Sequence, residues 1–195
     1  RDGARRVAAM SASALHVAGE LLVPGDKSIS HRSLICSALA EGTSRVRSIL
    51  RSEDVHSTAG VLRALGVDIP PLGDDVTITG VGLRGLRDAT SDLDCGNSGT
   101  STRLLAGVVA GSGVTGRFVG DASLSRRPMR RISRPLEAMG ARVELPEHGG
   151  LPMTIRGGKL HDIEWVNETG SAQVKSCILL AALCAGVEAK VVESP

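Results

Sequence analysis

Three stretches of this chain repeat one design at a nearly constant interval, and that periodicity constrains the fold more than any other feature. They begin at Arg32 (RSLICSALAEGTSRVRSI), Arg103 (RLLAGVVAGSGVTGRFVG) and Lys175 (KSCILLAALCAGVEAKVVES), so their leading cations lie 71 and 72 positions apart. Self-similarity at a fixed period marks a protein assembled from copies of one unit, each of which needs a neighbour to bury its apolar face. Each stretch reads as an apolar helix, a stop at Gly42, Gly113 or Gly186, and a β-branched strand. In the first two units a second half follows: VLRALGVDI with VTITG, and ISRPLEAMGARVE with LPMTIRG. Each second half places a helix before Gly66 or Gly140, then a strand, a short loop and another strand. The unit is βαβαββ, and the fold class is α/β.

The third unit holds only its first half, because the sequence stops at VVESP where a second helix is expected. A polar-faced terminal cap is the other way to explain a short last repeat, but CILLAALCAGV has no polar face. The sequence therefore predicts an incomplete third repeat with an open sheet edge and uncovered apolar surface on the Cys177–Cys184 helix. A length of 195 residues suits one large domain or two small ones.

Composition removes several classes of function. Phe118 and Trp165 are the only aromatic residues and tyrosine is absent, so the core must be aliphatic and base stacking on aromatic platforms is excluded. Lys and Arg total 23 against 21 Asp and Glu, a net +2 that gives no global field for a polyanion or a membrane surface. Small anions remain suitable ligands. Cys36, Cys95, Cys177 and Cys184 form no C-x-x-C pair and read as reduced, packed thiols. The run Ile178–Val187 is too short for a bilayer, and the N-terminal RDGARRVAAMSASALHVAG lacks an apolar core of signal-peptide type. A cytoplasmic protein, binding neither membrane nor nucleic acid, is the expectation.

The chemistry-bearing residues gather just before the three apolar helices: PGDKSISHR from Pro24, DCGNSGTSTR from Asp94 and ETGSAQVK from Glu168. A helix start offers unpaired amides and the positive end of the dipole to an anion, and glycine lets the backbone come close. Taken singly, each reads equally as an ordinary Ser/Thr/Asn cap. Recurrence at the same point of three units, each beside a cation, favours a shared anion site. Lys27 contributes a mobile point charge and Arg32 a planar fork. The segment SRRPMRR from Ser125 sets four arginines around Pro128, suited to a loop entering a helix at Met129; Arg127 is the most constrained of them, while a nucleic-acid patch and a solvated charge run are the alternatives. His16, His31, His56, His148 and His161 have no metal-ligand spacing, so no metal is expected, and His31 reads as a surface residue at a helix start. Glu53 and Asp54 open a helix, where the dipole explains them without catalysis.

In order and at fitting distances, PGDKSISHRSL, GNSGTSTRLL, GDASLSRRPM and SAQVKS resemble the N-terminal half of the 5-enolpyruvylshikimate-3-phosphate synthases, the 3-phosphoshikimate 1-carboxyvinyltransferase family. SAQVK and RRPM resemble its second, bacterial class. The resemblance runs from about Leu15 to Pro195, leaving residues 1–14 as an N-terminal extension. It implies one domain of the enolpyruvyl transferase fold, an inside-out α/β barrel of three βαβαββ units, facing a C-terminal domain across a cleft. It implies transfer of the enolpyruvyl group of phosphoenolpyruvate to the 5-hydroxyl of shikimate 3-phosphate, with no metal or organic cofactor and with glyphosate as an inhibitor.

Carried over by motif position, Lys27 touches both substrates and is the catalytic candidate. Ser28, Arg32, Ser171, Ala172 and Gln173 bind shikimate 3-phosphate, and Asn97, Gly99, Thr100 and Arg127 line the phosphoenolpyruvate pocket. The family's acid-base carboxylates belong to the C-terminal half, and Leu104 and Leu105 stand where some members carry Met or Pro. Two other readings stay open: a non-catalytic phospho-ligand module, and a relative of the UDP-N-acetylglucosamine enolpyruvyl transferases.

Overall fold

The computed structural model describes residues 23–193, so the extension expected over residues 1–14 lies outside it. The second repeat is complete. Strand β3 (Leu93–Asp94), helix α3 (Gly99–Ser112), strand β4 (Thr115–Val119), helix α5 (Arg130–Ala138) and strands β5 (Arg142–Glu144) and β6 (Met153–Arg156) give βαβαββ, with a single-turn helix α4 (Ala122–Ser125) before α5. Its sheet runs β3-β4-β6-β5, with β3 parallel to β4 and the other pairs antiparallel. Parallel β3 and β4 need a crossover, and α3 supplies it.

The first repeat contributes α1 (Lys27–Leu39), β1 (Glu41–Arg47), α2 (Glu53–Ala64) and β2 (Asp75–Val81), the strands pairing antiparallel from Glu41↔Val81 to Arg47↔Asp75. Two expectations fail here. The strand predicted at VDI is irregular chain, although Val67 and Ile69 are buried. Pro70 and Pro71 follow at once and lack the N–H that a ladder needs. Gly42 does not stop α1 either: the helix ends at Leu39 with an extended Ala40, and Gly42 sits inside β1 at φ +85°, opposite Gly80. Gly113 and Gly186 do cap their helices in the left-handed conformation, at φ +75° and +72°.

The third repeat is β7 (Ile163–Asn167), α6 (Ala172–Ala185) and β8 (Ala189–Glu193), with β7 and β8 parallel. No third strand joins this sheet among the described residues. The predicted open edge and uncovered helix face are both present, since Leu179 and Leu183 on α6 are 45% and 54% exposed.

Helix α3 is the hub, with eleven of its fourteen residues buried. An ordinary side chain at Gly107 or Gly111 would run into the backbone of Cys177 or Ala181, so the two glycines, one helical turn apart, let α3 and α6 touch backbone to backbone. The core is aliphatic, with Phe118 its only aromatic member among the fully buried side chains. Cys95, Cys177 and Cys184 are buried in it as free thiols, and burial pushes the first two up to about 12. Cys36 is free and exposed. No described helix is long and apolar enough to cross a membrane.

Candidate functional site

The helix starts singled out by the sequence converge around α1, α3 and α6. Asp26 caps α1 by accepting from the Ile29 amide at 2.8 Å, which leaves Lys27 and Ser28 exposed in the first turn. Arg32, one turn on, donates to the Ser28 carbonyl at 3.2 Å and to the Ser176 hydroxyl of α6 at 2.9 Å. It spans 144 positions of sequence to join the first and third repeats. Lys27 is ion-paired with Asp54 at the start of α2. The dipole account of Asp54 was therefore incomplete: its carboxylate also orients the lysine.

The second cluster is built on the starts of α3 and α6 and on the segment around α4 that carries Asp121 and Arg127. Ser98 caps α3, accepting from the Ser101 amide at 3.1 Å, and the next two residues are Gly99 and Thr100. Gln173, in the first turn of α6, donates to the Thr100 hydroxyl at 3.0 Å and accepts from Arg103 at 2.6 Å. Arg127 donates to the Asn97 side-chain carbonyl, whose amide group in turn donates to Asp121 at 2.5 Å. Asp121 also accepts from the Leu124 amide at 2.7 Å, and that bond, followed by the Asn97 contact, holds its carboxyl below the usual carboxylate range. A methyl on Gly99 would stand 3.1 Å from guanidinium nitrogens of both Arg103 and Arg127. At that position glycine leaves the approach between two cations unobstructed.

Electrostatics give this cluster a direction. Arg103 is half-buried; desolvation first, then the fields of Arg127 and Arg131, push its pKa down. Its hydrogen-bond partner is a neutral amide, and so is that of Arg127. Such a group of cations is relieved by an anion entering between them. Ser171, at the N-cap of α6, makes no side-chain cap bond, and Ala172 beside it is exposed. The start of α6 thus presents a hydroxyl and backbone amides at the positive end of a fourteen-residue helix.

The structure corrects several expectations. His31 is fully buried rather than on the surface. Lys175, which leads the third repeat as Arg32 and Arg103 lead theirs, turns away to pair with Glu193 of β8 at 2.8 Å. Of the SRRPMRR arginines, Arg130 donates to the Glu147 carbonyl at 2.8 Å, Arg126 is exposed, and only Arg127 hydrogen-bonds within the cluster. Arg103, Asp54, Asp121 and Ser176 went unrecognised as site residues. For Arg103 a signal existed, its place at the head of a repeat; for the others the contact is purely tertiary. No group of three or more His, Cys, Asp or Glu suited to a metal occurs among the described residues.

The family model for EPSP synthase (3-phosphoshikimate 1-carboxyvinyltransferase) matches residues 13–195. The 3-phosphoshikimate 1-carboxyvinyltransferase of Xanthomonas axonopodis pv. citri is 49% identical over 177 residues, which cover 90% of this chain and 40% of that protein. That of Alkalilimnicola ehrlichii is 53% identical over 169 residues, covering 86% and 38%. The chain thus spans about 40% of the length of the curated relatives it matches. Among solved structures, EPSP synthase from Acinetobacter baumannii superposes with a TM-score of 0.82 at 48% identity, over 86% of this chain and 38% of the other. The enolpyruvyl transferase NikO from Streptomyces tendae superposes at 0.53 with 16% identity, over 85% and 37%, a likeness of fold alone. These matches run through all three repeats and the helix starts that converge here, and on them the chain belongs to the EPSP synthase (3-phosphoshikimate 1-carboxyvinyltransferase) family.

Proposed function

We propose that residues 15–195 form the N-terminal substrate-binding domain of a cytoplasmic enzyme that joins phosphoenolpyruvate to shikimate 3-phosphate, and that the other wall of the cleft is a C-terminal domain. The observation that carries this reading is the convergence of Arg32, Arg103, Arg127 and the α6 start on one region, with the arginine donors spent on neutral acceptors. Two phosphates and two carboxylates must be held together before reaction, and cations with helix starts supply that field.

In this reading Lys27, Ser28 and Arg32 from α1 and Ser171, Ala172 and Gln173 from α6 hold shikimate 3-phosphate. Asn97, Gly99, Thr100 and Arg127 hold phosphoenolpyruvate, and Lys27 reaches both. The 5-hydroxyl oxygen of shikimate 3-phosphate bonds to the central carbon of phosphoenolpyruvate while a proton goes to its methylene carbon. The resulting tetrahedral intermediate then loses phosphate and a proton to restore the alkene. Residues of this chain bind and orient; general acid-base groups come from the other wall.

Calorimetric titration with shikimate 3-phosphate tests the reading. Arg32→Ala weakens binding by about 1.5–3 kcal/mol, the worth of charge-assisted hydrogen bonds. The chain alone turns over no substrate, and mixing it with a separately expressed C-terminal half of a relative restores phosphate release, which Lys27→Ala abolishes. Parent-like binding by Arg32→Ala, or turnover by the isolated chain, overturns it.

A further inference from the structure

A buried polar chain ties the starts of three helices together. His31 Nδ1 lies 2.7 Å from the Thr58 hydroxyl, Thr58 Oγ1 lies 2.7 Å from the Ser101 hydroxyl, and Ser101 donates to the Asp54 carbonyl at 3.0 Å. Ser98 Oγ, the cap of α3, is 2.7 Å from Ser101 Oγ as well. His31 belongs to α1, Thr58 and Asp54 to α2, and Ser101 to α3; His31, Thr58, Ser98 and Ser101 are all buried.

Proton counting together with the unpartnered Nε2 gives this chain one consistent direction. Ser101 has one hydroxyl proton, directed to the Asp54 carbonyl or to Ser98 Oγ, and with either acceptor Ser101 Oγ is left to accept from Thr58. Thr58 then donates to Ser101, which leaves the Thr58 oxygen to accept from His31 Nδ1. His31 Nε2 is buried and has no partner among the described residues. A bare ring nitrogen fits that place, whereas a second N–H would be an orphaned donor. The neutral imidazole with its proton on Nδ1 satisfies both the hydroxyl chain and the unpartnered Nε2. Burial, opposed by Asp54 and assisted by Lys27 and Arg32, holds the ring neutral, down to about 4.

We propose that His31 is a positioning residue: through Thr58 and Ser101 its Nδ1–H fixes the first turns of α1, α2 and α3 against one another, setting Lys27 and Asp54 relative to Gly99 and Thr100. His31 is one helical turn beyond Lys27 on α1, and Thr58 one turn beyond Asp54 on α2. The chain therefore runs directly behind the Lys27–Asp54 pair and ends one residue from Thr100. The charged groups facing the ring are Asp54 from α2 and Lys27 and Arg32 from α1. This role rests on the proposed function only where ligand binding is the readout.

The test uses the isotope-labelled 195-residue chain at neutral pH. Two-bond proton–nitrogen correlation spectra of the imidazoles show His31 Nδ1 as the protonated, pyrrole-like nitrogen and Nε2 as the bare, pyridine-like one. Thr58→Val, close to isosteric, and His31→Leu shift the backbone amides of Asp54, Gly99 and Thr100; Thr58→Ser and His31→Asn, which keep the hydroxyl and a donor near Nδ1, restore them. Shikimate 3-phosphate affinity falls about tenfold in Thr58→Val and returns in Thr58→Ser. An Nε2–H tautomer overturns the proposal, as do unmoved Gly99 and Thr100 amides in a folded Thr58→Val protein. Absence of shikimate 3-phosphate binding by the parent counts against the proposed function instead, and the spectra still decide the role of His31.

Discussion

Helices α3 and α6 start from the same plan and end in different surroundings. Both are fourteen residues long, both rise from a Ser N-cap and both stop at a left-handed glycine. Yet α3 buries eleven residues and α6 six, with Leu179 and Leu183 left outward. The difference follows from what surrounds each helix. Among the described residues, α3 packs against α1, α2, α5 and α6 together with β4 and β6, whereas α6 packs mainly against α3, α5 and β8 and meets α1 through the Arg32–Ser176 hydrogen bond. An apolar run in a repeat thus records how many neighbours the unit's design provides for, and the neighbours actually present set how much of the run is covered.

The strongest test of the comparison is to add a methyl where the two helices touch. Gly107→Ala and Gly111→Ala drive a carbon into the Cys177 or Ala181 backbone, and each costs about 3 kcal/mol or more in urea unfolding, despite the roughly 1 kcal/mol of helix propensity that alanine returns. An unchanged urea midpoint would mean that the helices do not meet there.

Acid separates the two helices next, because the start of α3 leans on His31 through Ser101 and Thr58 and α6 does not. The folded-state pKa of His31, about 4, lies below its unfolded value of 6.5, so between those limits the unfolded chain binds a proton that the folded chain refuses. The stability from a neutral His31 is fully present above pH 6.5 and is lost as pH falls toward 4, about 3 kcal/mol in all. Hydrogen exchange at pH 5 shows the first turn of α3 losing protection before the middle of α6, and His31→Asn flattens the pH dependence. Equal loss in the two helices refutes the assignment.

The leading cations sharpen the comparison further. On the function proposed above, Arg103→Met removes the donor that holds Gln173 and weakens shikimate 3-phosphate binding by about 1.5 kcal/mol or more, whereas Lys175→Met breaks only a solvent-accessible pair and costs about 0.5 kcal/mol of stability or less. Similar effects of the two on binding would place both at the site. Gly99→Ala presses on Arg103 and Arg127, whose flexible ends give way, so the fold holds; if the function proposed above extends to inhibition by glyphosate, the reconstituted enzyme's inhibition assay shows that inhibition weakened more than substrate binding. The smallest effect belongs to the outward face of α6: Leu179→Ser and Leu183→Ser change stability by less than about 1 kcal/mol and raise solubility. A large loss there would mean that those leucines are covered.

Much of this was legible in the sequence because repeats, glycine caps and apolar periodicity are local. The unit order came through intact in the second repeat, where no proline interrupts the short strand β5. It failed in the first, where the pair Pro70–Pro71 leaves Val67 and Ile69 buried without a ladder. Candidate site residues were legible as motif positions, and the structure brings Thr100 to Gln173 and Arg127 to Asn97. Partnerships across repeats were not. Nothing near Lys27 in sequence announces Asp54, and His31 looked exposed because the Thr58 that receives it lies 27 positions away.

The contact between α3 and α6 also carries a clock. Cys177 is buried against Gly107, with its thiol pushed up to about 12, so in the closed protein it presents almost no thiolate to an alkylating reagent. Cys36, exposed on α1, reacts at once and serves as an internal standard. Every slower labelling event at Cys177 therefore counts a separation of the two helices. Its rate, followed against reagent concentration, reads how often this junction opens and how fast it closes.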